Sequence, residues 1–174
     1  MHPSLTSSRI YLSPVNISLI DEFHRYCLDE TLYDFLEFPP FTSKHESLGY
    51  LNKLVERSRD LSAQYYSIHL HDSTLIGTIG YHSFILDRKS CEIGYGISSQ
   101  YRGFGYFSES LNLLIGYLYS RLSIHRIAAT TAACNAASVS ALLRNGFNLE
   151  GTMRDYYYSD QRSWFDAVLL SKII

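Results

Sequence analysis

The sequence predicts an α/β (α+β) fold, a single domain spanning 1–174 in which helices pack on a mixed sheet. Three observations predict it. The 174 residues are 46% hydrophobic and 18% charged, enough for one core and too short for a second domain of ordinary size. Apolar residues recur at helical spacing in some segments, and short strand-like runs bounded by turn residues occupy others. The segments follow one another as strands, helix, strand, helix, strands, an order that lays helices on a sheet.

The first strand is Ile10-Tyr11-Leu12, stopped by Pro14. A helix starts near Ser18, where Ser18 and Asp21 resemble a capping pair and Leu19, Ile20, Phe23 and Leu28 share a face. Residues 32–36 form a short second helical piece, ended by Pro39 and Pro40. A longer helix runs from about Ser43, with Leu48, Leu51, Leu54 and Val55 at helical spacing. Strands follow at 65–70 and 74–81, joined as a hairpin by the turn His71-Asp72-Ser73, and then at 90–97. Gly94 and Gly96 inside that third strand predict a bulge or a close backbone approach. An amphipathic helix over about 105–122 carries Phe107, Leu111, Leu114, Ile115 and Leu118. A strand at 126–130 leads to a short helix over 136–144, which stops at Asn145-Gly146. Strands at 147–157 and 164–173, joined through Ser159-Asp160-Gln161, close the chain.

Composition removes several classes of function. Net charge is -2 and no basic run stands out, so nucleic acid is not an expected partner. No segment reaches the roughly 20 apolar residues of a membrane span. Met1-His2-Pro3-Ser4 lacks a charged lead and an apolar secretory core, which makes the cytoplasm the expected compartment. Cys27, Cys91 and Cys134 are odd in number and widely spaced, neither a disulfide framework nor a metal cluster, and no metal is expected. His69, His71 and His82 have no metal-site spacing either. Structural roles are expected for them, with a pocket-facing His82 as the alternative. Fifteen Tyr and nine Phe are read mostly as half-buried strand positions, and otherwise as a ring-lined pocket for a polar substrate.

The chemistry concentrates at Gln100-Tyr101-Arg102-Gly103-Phe104-Gly105-Tyr106, between a strand and a helix. Backbone N–H groups at a helix start lack partners, the helix dipole favours an anion there, and glycines let the main chain approach a phosphate. Such a turn makes a pyrophosphate site; read alone it is equally a flexible helix entry. No Gly-Lys-Ser/Thr follows, and the three-glycine dinucleotide spacing is missing. Further on stand Asn135-Ala136-Ala137-Ser138 and Arg144-Asn145-Gly146-Phe147, where Asn135 is a natural helix cap and Ser138 a first-turn residue.

These segments together resemble the GCN5-related N-acetyltransferase (GNAT) superfamily, whose pattern Gln/Arg-x-x-Gly-x-Gly/Ala occupies a strand-to-helix turn. The closer resemblance is to its Rim-type (RimJ/RimL) branch of ribosomal-protein N-terminal acetyltransferases. It is carried by Cys91-Glu92-Ile93-Gly94-Tyr95, the Gln100 to Tyr106 turn, His125-Arg126-Ile127, Asn135-x-x-Ser138 with Gly146-Phe147, and Glu150-Gly151-Thr152-Met153-Arg154. It is sharp from about Thr74 onward and loose in the N-terminal third. Arg144 stands where the branch usually has Lys, which keeps a positive charge for a coenzyme phosphate.

The resemblance implies a mixed, mostly antiparallel sheet of about seven strands with about four helices. It implies acetyl-coenzyme A as donor cosubstrate, held by a core over about 74–174, with the N-terminal part contributing to the acceptor site. The reaction is direct transfer of an acetyl group to a neutral amine, so a carboxylate must take the amine proton directly or through water. Glu92 is the candidate base, its alternative being a surface carboxylate paired with Arg88 or Lys89. Ser138 is the candidate partner of the departing thiolate, by proton or hydrogen bond. Asn135 is assigned to the pantetheine arm or thioester end. Main-chain groups at Ile97, the Gln100 turn with Arg102, Gly103, Phe104, Gly105 and Tyr106, and Arg144 are assigned to the rest of the cofactor. A backbone N–H near Gly94 and Gly96 polarises the acetyl carbonyl. Cys134 receives no role, because direct transfer needs no enzyme thiol. Asp34 and Glu37 either attract a cationic amine or are solvated helix residues. The expected acceptor is a protein N-terminal amine. The alternatives are a small amine (an amino sugar or its nucleotide, a polyamine, an antibiotic) or no acceptor at all, in a non-catalytic acyl-coenzyme A-binding module. The expected assembly is a monomer or homodimer.

Overall fold

A computed structural model describes residues 3–174; Met1 and His2, where the secretory-signal reading begins, lie outside the described residues. The strands are β1 (Leu5–Thr6), β2 (Ile10–Pro14), β3 (Gln64–Leu70), β4 (Leu75–Ile85), β5 (Ser90–Ile97), β6 (Arg126–Ala132), β7 (Asn148–Ser159) and β8 (Ser163–Ile173). The helices are α1 (Ile20–Cys27), α2 (Lys44–Arg57), α3 (Tyr106–Leu122) and α4 (Ala136–Arg144). All eight strands join one sheet in the order β1-β2-β3-β4-β5-β6-β8-β7. Every neighbouring pair is antiparallel except β5–β6. A parallel pair needs a crossover, and α3 supplies it.

The sheet is covered on both faces. Leu111, Leu114 and Leu118 of α3 are fully buried against Ile10, Leu12, Ile68, Ile76 and Ile79. Each such side chain contributes about 1.5–3 kcal/mol of burial. On a second cluster, Phe23 and Cys27 of α1 and Leu51 and Leu54 of α2 pack with Val15, Ala63 and Tyr65. The entry of α2 is a full capping box: Ser43 accepts from the Glu46 N–H while the Glu46 carboxylate reaches back to the Ser43 N–H.

The structure revises the N-terminal third. Asn16, not Ser18, is the cap; its Oδ1 accepts from the Ser18 N–H at 3.0 Å and opens a 3₁₀ turn, after which α1 begins at Ile20. The helix ends at Cys27, so Leu28 is 51% exposed and outside its apolar face. Residues 32–36 form no helix. Asp29 caps a three-residue 3₁₀ turn, Glu30–Leu32, and the chain then runs in turns to the prolines. So few residues before Pro39 cannot repay helix nucleation. The two-residue β1 brings the sheet to eight strands. The ladder between β4 and β5 is regular through Gly94 and Gly96, and its shift lies between His82 and Ile85. Gly96 instead answers a close approach: a Cβ there would collide with the hydroxyl of Tyr26.

Candidate active site

The parallel pairing of β5 and β6 lasts only three residues, Ser90, Cys91 and Glu92 against Arg126, Ile127 and Ala128. Beyond it the strands part, and a cleft of about 1220 Å³ opens between residues 93–97 and 129–132. That exceeds the roughly 300–1,000 Å³ of a pocket for one small ligand.

At one end lies the turn before α3. Gly103 and Gly105 have φ of +82° and +83°, the left-handed region open to glycine at no steric cost. The N–H groups of Tyr101 and Arg102 are taken by Ser98 and Ser99 carbonyls. Among the described residues, the N–H groups from 103 to 108 meet no acceptor, and no side chain caps α3. Unpaired amides at a 17-residue helix start, with no Cβ on two of them, suit a pyrophosphate.

Three side chains brace this turn, one from within it and two from outside. Arg102 folds back, Nε donating to the Ile97 carbonyl at 2.9 Å. Asp29 accepts from the Ser99 N–H at 2.5 Å and the Ser98 hydroxyl at 3.0 Å, tying the end of α1 to the end of β5. Burial pushes the Asp29 carboxyl upward, but these donors, the Ser99 N–H foremost, together with Thr31, hold it down at about 2. Arg9 donates to the Phe104 carbonyl at 2.9 Å and pairs with Glu109 in the first turn of α3 at 2.5 Å.

The α4 end meets the same cleft. Asn135 caps α4, its Oδ1 accepting from the Ser138 N–H at 3.1 Å, while its Nδ2 remains without an acceptor among the described residues. The Ser138 hydroxyl lies 2.7 Å from the hydroxyl of Tyr95, whose ring packs on Phe107 with centroids 4.1 Å apart. Burial pushes the Tyr95 phenol up to about 12, against a smaller opposite effect from Ser138. At the other end of α4, Asn145 Nδ2 donates to the Ser108 hydroxyl at 2.9 Å, which brings Arg144 beside the turn before α3.

The opposite end of the cleft is built by β4 and β5 with α1 and the chain after it. Paired residues His82 and Glu92, Gly80 and Gly94, and Thr78 and Gly96 share one face of the sheet. The His82 ring leans over Gly94, where a Cβ would lie 4.0 Å from Nε2. Burial lowers the His82 pKa, the Glu92 charge opposes that fall, and Arg57 adds to it; the net direction is down. Around this end stand the rings of Tyr26, Tyr33, Phe35, Phe38, Phe41, Tyr50, Tyr65 and Tyr157, with the carboxylates of Glu37 and Asp60.

Of the residues named from sequence, Ile97, Arg102, Gly103, Gly105, Tyr106, Asn135, Ser138 and Arg144 all line the cleft. Gln100 and Phe104 are exposed beside it, Phe104 by 62%. Glu92 is half-buried, paired across the strands with His82 and outside the lining, with no ion pair to Arg88 or Lys89 among the described residues. Asp34 is exposed away from the cleft. His69 and His71 bond to Ser67 and the Ser7 carbonyl and stack with Tyr11, as structural residues do. Among the described residues no group of three or more His, Cys, Asp and Glu is gathered as a metal site requires, and no helix is long and apolar enough to cross a membrane.

A family model described as an acetyltransferase (GNAT) domain matches residues 9–148. The chain belongs to the GNAT acetyltransferase family. It is an acetyl-coenzyme A-dependent N-acetyltransferase by that membership. It is 27% identical over 154 residues to the uncharacterized N-acetyltransferase p20 of Bacillus licheniformis, covering 88% of this chain and 86% of that one. It is 32% identical over 124 residues to the ribosomal protein uS5-alanine N-acetyltransferase of Escherichia coli, covering 70% of this chain and 62% of that protein. The fold superposes on RimL, a ribosomal-protein alpha-N-acetyltransferase solved in complex with coenzyme A, with a TM-score of 0.90 at 24% identity, covering 99% and 98% of the two chains.

His82, Tyr95, Asp29 and Arg9 are the site residues that sequence reasoning left unassigned or undecided. For His82 the sequence showed only a histidine just past the predicted strand 74–81; its pairing with Glu92 appears in the sheet register. The other three reach the site through contacts 43 to 100 residues apart in sequence, with no local mark.

Proposed function

We propose that this chain transfers the acetyl group of acetyl-coenzyme A to a protein N-terminal amine, with 1–174 acting as one catalytic unit. The observation that carries the proposal is a single cleft joining two chemically different ends. One end offers unpaired amides and two arginines, Arg102 and Arg144; the other offers rings and the carboxylates Glu37 and Asp60. The first suits the coenzyme phosphates, the second a cationic amine with an apolar body. The size of the cleft leaves room for a peptide end beside the coenzyme, and the likeness to a ribosomal-protein acetyltransferase supports that acceptor.

In this reading the amides from 103 to 108 hold the pyrophosphate, with Gln100, Phe104 and Tyr106 contributing main-chain groups and Arg144 a charge. Asn135 holds the pantetheine arm through Nδ2, and the main chain from Gly94 to Ile97 lies along it. The amine proton leaves toward His82, whose neutral ring lines the cleft, and the Glu92 carboxylate paired with it on the next strand stabilises the imidazolium that forms. Ser138 donates a hydrogen bond to the departing thiolate.

The wall of eight rings favours a second acceptor, a small amine with a planar or apolar body. A panel decides between them: peptides with free N-termini beside amino sugars, polyamines and aminoglycosides, read by release of free coenzyme A thiol. The proposal expects a kcat/KM for one or more peptides well above that for every small amine. Thiol release only with small amines overturns the peptide acceptor, and tight acetyl-coenzyme A binding without release on any amine overturns catalysis.

A further inference from the structure

We infer that Tyr95 is a positioning residue for thiolate departure: its hydroxyl donates to Ser138 and leaves the Ser138 proton aimed at the coenzyme sulfur. The inference rests on the role proposed for Ser138. The two hydroxyl oxygens are 2.7 Å apart, and both side chains line the cleft. A phenol is a far stronger acid than an aliphatic alcohol, so the favoured direction of the bond runs from Tyr95 to Ser138 Oγ. A serine hydroxyl that accepts one bond is polarised toward donating the next. Two more features favour negative charge developing beside the pair. Ser138 lies in the first turn of the nine-residue α4, where the helix dipole favours an anion. The Tyr95 ring is held on Phe107, in the first turn of α3, so the pair spans the starts of both helices that flank the cleft.

The step balances without a proton leaving either hydroxyl. The amine nitrogen bonds to the acetyl carbon, the carbon–sulfur bond breaks, and its electron pair goes to sulfur. Ser138 donates to that sulfur while Tyr95 donates to Ser138. The proton lost by the amine passes to His82 and on to solvent, and solvent protonates the sulfur as the thiol is released. Burial of the Tyr95 phenol, pushed up to about 12, argues for this arrangement over true proton transfer, because a tyrosinate there is disfavoured.

The test is a double-mutant cycle with Tyr95→Phe, Ser138→Ala and the pair. Y95F removes one oxygen and keeps the ring and its packing on Phe107, and thermal melting checks the fold. The expected result for Y95F is a kcat lower by about 10- to 100-fold, as for a lost hydrogen bond to developing charge. The KM for acetyl-coenzyme A stays within about twofold of wild type, since only the transition state loses an interaction. The double variant is no slower than S138A, and Ser138→Thr, which keeps the hydroxyl, retains activity that S138A loses. A slow S138A with an unimpaired Y95F overturns the role of Tyr95 and leaves that of Ser138 standing. A wild-type kcat in S138A overturns the role of Ser138 and Tyr95 with it. Full additivity of the two losses also overturns the inference, because Tyr95 then acts on something other than Ser138.

Discussion

The guanidinium of Arg9 lies over the ring of Tyr106, 4.9 Å from its centroid, and so bridges the second strand's entry to the first residue of α3. The same group pairs with Glu109 and donates to the Phe104 carbonyl, while the Ser7 hydroxyl donates to Glu109 at 2.6 Å. An N-terminal loop thus clasps the turn whose amides face the cleft. Arg9→Ala is expected to lower stability by about 1 kcal/mol, the scale of a partly exposed ion pair. It is also expected to raise the KM for acetyl-coenzyme A roughly fivefold, about 1 kcal/mol of binding, with kcat little changed. Steady-state kinetics and a melting curve check both.

In the proposed mechanism, His82 and Glu92 give the reaction its pH dependence. The His82 pKa is lowered by burial and partly restored by Glu92, so the ring is neutral and able to accept a proton at pH 7. His82→Ala is expected to lower kcat about 100-fold, the scale of a lost general base. Glu92→Gln removes the charge that holds the His82 pKa up. The rising limb of the kcat profile therefore moves to lower pH while turnover falls. A pH–rate series on both variants checks this, and an unshifted profile in E92Q removes Glu92 from the mechanism.

Asp29 makes the joint between α1 and the turn acid-sensitive. Its folded pKa of about 2 lies well below the usual range of an aspartate. A depressed carboxyl contributes stability that is present above its unfolded pKa and lost as pH falls through the folded one. Asp29→Asn is expected to cost about 1 kcal/mol at pH 7, the net worth of a charge-assisted hydrogen bond at a partly exposed site. The gap between wild type and D29N closes between pH 4 and 2. Chemical denaturation across that range measures it.

The parts legible in the sequence are those with local causes. Leu111, Leu114 and Leu118 recur at helical spacing and become the buried face of α3. Ser43 and Glu46 stand three apart and close a capping box at the expected helix start. Gly103 and Gly105 occupy the positive φ that their turn requires. The chain between α1 and α2 was less legible because its shape depends on distant partners: Asp29 bonds to Ser99, and Tyr33 donates to the Cys27 carbonyl while packing on Phe38 and Phe41. Gly96 shows the limit of a glycine signal. It marks a close approach, but only the fold tells that Tyr26 makes it.

The central claim is that the turn from Gln100 to Tyr106 holds the donor's phosphates. Calorimetric titration of acetyl-coenzyme A into wild type and Gly105→Glu tests it most directly. At φ +83° a side chain is strained, and a carboxylate there meets the phosphates it displaces. A melting curve establishes that the variant is folded. Saturable binding to wild type with none detectable in folded G105E is the predicted result; equal affinity in the two folded proteins contradicts the claim.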